Sequence, residues 1–156
     1  MPTPTTNGQI VTLFTPNSGV ANTNALVSGY KWGGAQGTGV SLTYSIPTAS
    51  AVWQSPYGFS NPSEPIGFTP LNSTQAGHFR TALQAWSNVG NITFVEVADT
   101  PTLVGDIRVA FSPAVQASGF LGWAFYPFAN AQGGDVWLNP AMGSLTTPAP
   151  DRKSVV

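Results

Sequence analysis

The chain has one histidine, His78, and no cysteine among its 156 residues, so the side chains that most often hold a catalytic metal are almost absent. A hydrolytic zinc ion needs three protein ligands and an open position, commonly with two histidines one helical turn apart. His78 has no such partner and at most one imidazole can be offered. A Ser-His-Asp relay built on His78 would need a nucleophile on a turn such as G-x-S-x-G and an acid to orient the ring, and no such motif occurs. His78 falls on the polar side of a predicted helix and reads as solvated. Asp106 and Arg108 read as residues that end and decorate a strand. The aromatic run Leu121–Pro127, taken alone, reads as a strand buried on one face.

Composition narrows the function further. Charged residues make up 7% of the chain and the formal net charge is −1, against roughly a quarter charged in an ordinary soluble domain. Lys31, Arg80, Arg108, Arg152 and Lys153 are scattered except for the last two, so no phosphate-reading patch forms and neither nucleic acid nor an anionic membrane is an expected partner. With no disulfide available, stability rests on packing or on metal held by oxygen. The N-terminus has no basic n-region or apolar h-region, and no stretch approaches the roughly 20 apolar residues of a membrane span.

The elements that must position any site are legible from periodicity. Residues 1–21 read as a tail rich in Pro, Thr, Asn and Gly, with one apolar run, Ile10–Phe14, able to dock as a short strand. Val40–Ile46 alternates at period two and Pro47 ends it, which predicts a strand. Residues 47–70 carry five prolines and read as a long, ordered surface excursion. Asn72 with Gln75 three residues on predicts a capped helix running to Val89, stopped by Gly90. Its apolar stripe is Ala76, Phe79, Ala82, Leu83, Trp86 and Val89. Asn91–Val97 and Asp106–Phe111 predict two more strands, which suggests a crossover packed on a sheet.

Six segments in order, Ala25–Gly33, Leu42–Ser45, the helix ending Ala82-Leu83-Gln84-Ala85-Trp86, Asn91–Asp99, Gly105–Arg108 and Gly134–Asn139, resemble the N-terminal half of a serralysin-type metallopeptidase domain, a branch of the metzincins. The likeness covers about residues 22–150. It implies an α+β fold: a twisted, mixed five-stranded sheet with an amphipathic helix packed on it, incomplete because the zinc helix and C-terminal subdomain are absent. In that fold the one antiparallel strand lies at the sheet edge above the zinc, and an extended substrate pairs with it through main-chain hydrogen bonds. Leu121, Gly122, Trp123, Ala124 and Phe125 occupy that place by resemblance and are the expected substrate-binding residues. Gly122 is expected to let substrate backbone approach, and Pro127 to end the strand. No catalytic or metal-binding residue carries over, since the H-E-x-x-H-x-x-G-x-x-H positions are not in the chain. Zinc is the cofactor implied for the full-length parent and calcium a further one. Gly133-Gly134-Asp135 is similar to the place where matrixins bind structural calcium, but one carboxylate favours a solvated turn. Trp123 stands where matrixins have a structural-zinc histidine, so no second zinc site is implied.

Three units are therefore expected: a tail at 1–21, the N-terminal part of a metallopeptidase domain at 22–150, and a non-native tail at 151–156. Asp151–Val156 is what one frame of a widely used sequencing adapter, GAT CGG AAG AGC GTC GTG, would encode, and that is its expected origin. The resemblance implies a secreted, extracellular zinc endopeptidase exported through a C-terminal signal, monomeric, acting on peptide or protein substrates, with the chain itself inactive. The competing readings are a non-catalytic peptide-binding or adhesive module and a structural piece of a repeat-bearing surface protein. Without a zinc helix on its sheet, the chain is expected to bare apolar residues from among Ile92, Phe94, Ile107 and Val109 and to fold poorly.

Overall fold

The computed structural model describes residues 3–6, 10–14, 19–21, 24, 28–58 and 62–142. The 151–156 stretch, the approach at 143–150 and Ala25–Val27 of the first resembling segment lie outside them. The described elements are β1 (Val11–Leu13), β2 (Tyr30–Trp32), β3 (Val40–Ser45), α1 (Ser73–Val89), β4 (Ile92–Glu96), β5 (Ile107–Phe111), α2 (Pro113–Ala117), β6 (Gly122–Ala124) and β7 (Val136–Leu138), with a 3₁₀ turn at Pro140–Met142. β1 and β2 form an antiparallel ribbon. The other strands form one mixed α+β sheet in the order β4-β3-β5-β7-β6. The β4–β3, β3–β5 and β5–β7 pairs are parallel, and β6 alone runs antiparallel, at the edge beside β7.

α1 begins where the sequence places it. Asn72 Oδ1 accepts from the Gln75 N–H at 2.9 Å and Gln75 Oε1 accepts from the Asn72 N–H at 2.8 Å, closing a capping box. Gly90 ends the helix in extended geometry, φ −113°, with its N–H on the Trp86 carbonyl at 2.8 Å. The stop therefore does not use a left-handed glycine. Tyr44 stacks edge-on against Phe79, with 5.8 Å between ring centroids. The Tyr44 hydroxyl and Arg80 both donate to Glu96, and this fastens α1 across β3 and β4. The Arg80 hydrogen bond holds the Glu96 carboxyl below its ordinary range, while burial pushes the Tyr44 phenol up.

The two faces of the sheet are unequally covered. On one, Ala110, Val115 and Trp137 form a fully buried core, and Trp53, Tyr57 and Phe68 from the 47–70 segment pack onto it. The expected surface excursion is thus a cover for this face, anchored by an antiparallel bridge between Thr69 and Phe111. Its prolines forbid ladder pairing but leave its aromatics free to bury. The α1 face is open. Trp86 is 64% and Val89 82% exposed, so the far half of the predicted stripe faces solvent. Ile92, Phe94 and Ile107 line an apolar groove of about 700 Å³ between α1 and the sheet. Val109 is an exception to the expected exposure, since it is 1% exposed.

A groove of this kind predicts behaviour in solution. We expect the chain to bind an apolar fluorescent dye at neutral pH and to unfold over a broad thermal range, because water retains access to the helix–sheet contact. A sharp transition without dye binding would show that the groove is closed in solution.

Candidate functional site: the open sheet edge and its buried backing

The edge strand is short. Leu121–Pro127 was expected to form it, whereas only Gly122–Ala124 is ladder-paired as strand, with Asn139 N–H on the Leu121 carbonyl and Phe125 N–H on the Asp135 carbonyl, each at 3.0 Å, extending the pairing by one residue at either end. Register sets what the open edge offers. In an antiparallel ladder, directly opposed residues alternate between exchanging both hydrogen bonds and exchanging none. The Leu121–Asn139 and Phe125–Asp135 bonds, with Trp123 opposite Trp137, put the odd-numbered residues in the bonded class. Gly122 and Ala124 consequently turn their N–H and C=O groups away from β7, along the free edge.

The expected site residues divide accordingly. Leu121, 71% exposed, lines a cavity of about 290 Å³ with His78, Leu138 and Met142. Gly122 and Ala124 are exposed main-chain positions, and Trp123 and Phe125 are half-buried against the Trp137 core. A Cβ on Gly122 would lie 2.8 Å from the Trp137 carbonyl oxygen and 3.2 Å from Leu138 Cδ2. Strand β7 therefore requires this glycine, and its main-chain groups are what the open edge presents. His78 is exposed as expected, and it is among the residues lining the apolar cavity. Among the described residues no three His, Cys, Asp or Glu side chains come together as a metal site.

Behind the edge lies a buried polar network that sequence reasoning placed on the surface. Arg108 is fully buried and forks onto Asp99, Nε to Oδ2 at 2.9 Å and Nη2 to Oδ1 at 3.0 Å. Its guanidinium carbon lies 3.8 Å from the Trp53 ring centroid, a cation–π contact sheltered from water. Ser45 Oγ donates to Asp99 at 2.8 Å and accepts the Gly105 N–H. Asp106 Oδ2 accepts from both the N–H and the hydroxyl of Thr43, at 2.7 and 2.8 Å, so it staples β3 to the start of β5. Asp135 is 1% exposed, which corrects the expected solvated turn at Gly133-Gly134-Asp135. Its Oδ2 accepts from the Tyr57 hydroxyl, which in turn accepts from Trp137 Nε1 at 2.9 Å. Burial first, and the carboxylate of Asp135 next, push the Tyr57 phenol far up; burial also raises the Asp135 carboxyl well above its usual range. The only hint in the sequence is that Asp106 and Arg108 stand at predicted strand positions in a chain with few charges.

The Arg108–Asp99 pair sits where neither ion can reach water. We expect Arg108→Met, which keeps the bulk but strands Asp99, to cost about 3–5 kcal/mol, read from denaturant midpoints. Adding Asp99→Ala should recover part of that loss. A single substitution costing under ~1 kcal/mol would mean that the pair is solvated.

No family model matches the chain. Among curated proteins it is similar to two from Dickeya chrysanthemi. It is 26% identical to Serralysin A over 91 residues, 57% of this chain and 19% of that protein. It is 26% identical to Serralysin C over 121 residues, 75% of this chain and 24% of that protein. The chain thus spans about a fifth to a quarter of the length of these relatives. Over part of its length, and at low identity, its sequence is serralysin-like.

Proposed function

We propose that the chain supplies the scaffold and substrate-facing edge of a serralysin-like zinc metalloendopeptidase, and that an extended peptide pairs with β6. The observation that carries this reading is the orientation of Gly122 and Ala124, whose main-chain donors and acceptors line the free side of the sheet's one antiparallel edge strand. Main-chain pairing gives affinity without demanding a particular sequence, which suits an endopeptidase acting on varied protein substrates. The likeness to the two Dickeya proteins supports the same reading. On the strength of that likeness the parent is proposed to be extracellular, with zinc as its cofactor and calcium as a further one.

Catalysis itself would be metal-assisted attack of water on a peptide bond. With one histidine and no cysteine, and no three His, Cys, Asp or Glu side chains brought together among the described residues, the chain by itself is proposed to be inactive. Its residues contribute elsewhere. Gly122 and Ala124 align the substrate backbone, Leu121 meets a side chain beside the 290 Å³ cavity, and Trp123 and Phe125 stiffen the strand from behind by packing on the Trp137 core.

Two measurements test this. Ala124→Pro removes the outward N–H while sparing the bonds to β7, because a proline on an edge strand loses only the solvent-side donor. It should weaken binding of an extended peptide about fivefold or more, the equivalent of ~1 kcal/mol for one hydrogen bond. Unchanged affinity would remove β6 as the docking edge. After dialysis the chain should hold no stoichiometric zinc and should not digest casein; chelator-sensitive caseinolysis by the chain alone would refute the ligand argument.

A further inference from the structure

Asp135 joins two parts of the molecule. Its carbonyl accepts the Phe125 N–H that extends β6, at 3.0 Å, and its side chain holds Tyr57 in the 47–70 segment. The ring of Tyr57 stands edge-on to Phe125, 5.8 Å between centroids, and Trp53 packs at 4.5 Å from Trp137. The hydrogen-bond chain has a fixed direction. Trp137 Nε1 can only donate, so the Tyr57 oxygen accepts it and the single Tyr57 proton goes to Asp135 Oδ2. Asp135 Oδ1 is buried with no partner.

The groups facing this carboxyl are Tyr57 and Glu64 from the 47–70 segment, Arg108 on β5 and Asp99 in the turn before it. The two bonds from Arg108 both go to Asp99 and its Nη1 makes none; its charge favours an ionised Asp135, but less than burial disfavours it. Glu64 is 2% exposed and has a bare Oε2. An ionised Asp135 would leave a charged Oδ1 with no donor in a water-excluded site, which is costly. A neutral acid keeps the Tyr57 bond without that cost.

We propose that Asp135 acts as a proton-dependent latch, holding the 47–70 segment against β7 and the end of β6 while neutral and releasing it on ionisation. The sign follows from linkage. The closed state binds the proton more tightly than the open state, so closure is fully favoured below the ordinary carboxyl pKa of about 3.9 and is lost as pH rises toward the raised value of the closed form. Since Phe125 rests on Tyr57, release also removes the backing of the exposed edge strand.

The test is amide hydrogen exchange by mass spectrometry on the full chain, comparing wild type with Asp135→Asn in peptides covering residues 50–58 from about pH 4 to pH 9. Comparing the two chains at each pH cancels the intrinsic exchange rate. The wild-type/variant opening ratio should start near unity, climb by up to about tenfold per pH unit and then level off. A ratio constant across the range overturns the latch. So does a ¹³C carboxyl resonance of Asp135 that is already ionised at about pH 5, where an ordinary carboxyl would be. If Asp135→Asn does not fold, Tyr57→Phe serves. It should exchange faster than wild type in the same peptides at acid pH, because the bond is gone, and should still rise with pH, because the buried Asp135 carboxyl remains; exchange equal to wild type at acid pH overturns the proposal.

Discussion

The fold turns on a cation placed in the middle of a sheet. Arg108 lies on β5, the central strand in the order β4-β3-β5-β7-β6, and is fully buried. A guanidinium there is tolerable only if its charge is answered and its plane covered. Asp99 answers the charge and Trp53 covers the plane. These two requirements recruit the turn between β4 and β5, where Asp99 sits, and the 47–70 segment, which brings Trp53. Asp99 then draws in Ser45 at the end of β3. A single ion pair thereby fixes the mutual positions of two strands, a turn and a proline-rich cover.

What that cover achieves on one face is missing on the other. Trp53, Tyr57 and Phe68 seal the Ala110–Trp137 face, and β7 is pinned from that side through Tyr57. On the opposite face, among the described residues, α1 packs on the sheet and Tyr30–Trp32 of β2 line the groove beside it. A helix of 17 residues is about 25 Å long at 1.5 Å per residue. It fastens to β3 and β4 through Phe79, Tyr44 and Glu96, and leaves Ile107 and Val136 facing the groove. The capping box and the Arg80–Glu96 contact hold the helix in place, but an ion pair exposed to solvent is a weak fastening, so most of its hold must come from Leu83, Ala76 and Phe79.

How much of this was legible depended on how local each cause was. The capping box from Asn72 to Gln75, the alternation of Val40–Ile46 and the two strands after α1 are decided by residues within a few positions of one another, and the structure has them within one residue of where the sequence puts them. α2 went unread although Ser112-Pro113 carries a start signal: Ser112 Oγ accepts the Ala114 N–H and Pro113 takes the first turn. The burial of Asp106 and Asp135 is not legible because their partners are distant in sequence, and that of Arg108 because its cover, Trp53, is distant although Asp99 is not. Asp106 meets Thr43 63 positions away, and Asp135 meets Tyr57 78 positions away. No periodicity within a strand reports whether a polar residue will find such a partner, and the usual expectation for an isolated charge is solvent. The outward main-chain groups of Gly122 and Ala124 were likewise invisible, because they follow from pairing register and not from side-chain type.

The edge strand shows why register carries more functional weight here than residue identity. β6 has three residues, too few to persist as an isolated strand, so its geometry is borrowed from β7 and from the aromatic cluster behind it. Shifting the pairing by one residue would turn the Gly122 and Ala124 main-chain groups inward and expose Trp123 and Phe125. Two contacts oppose that shift. Asn139 reaches across to Phe120 with its side-chain amide, at 2.8 Å, and Gly122 is the residue whose missing Cβ lets β6 approach the Trp137 carbonyl. A larger residue at 122 would push the strand outward before it touched anything docked on the open side, so the edge is positioned by what lies behind it.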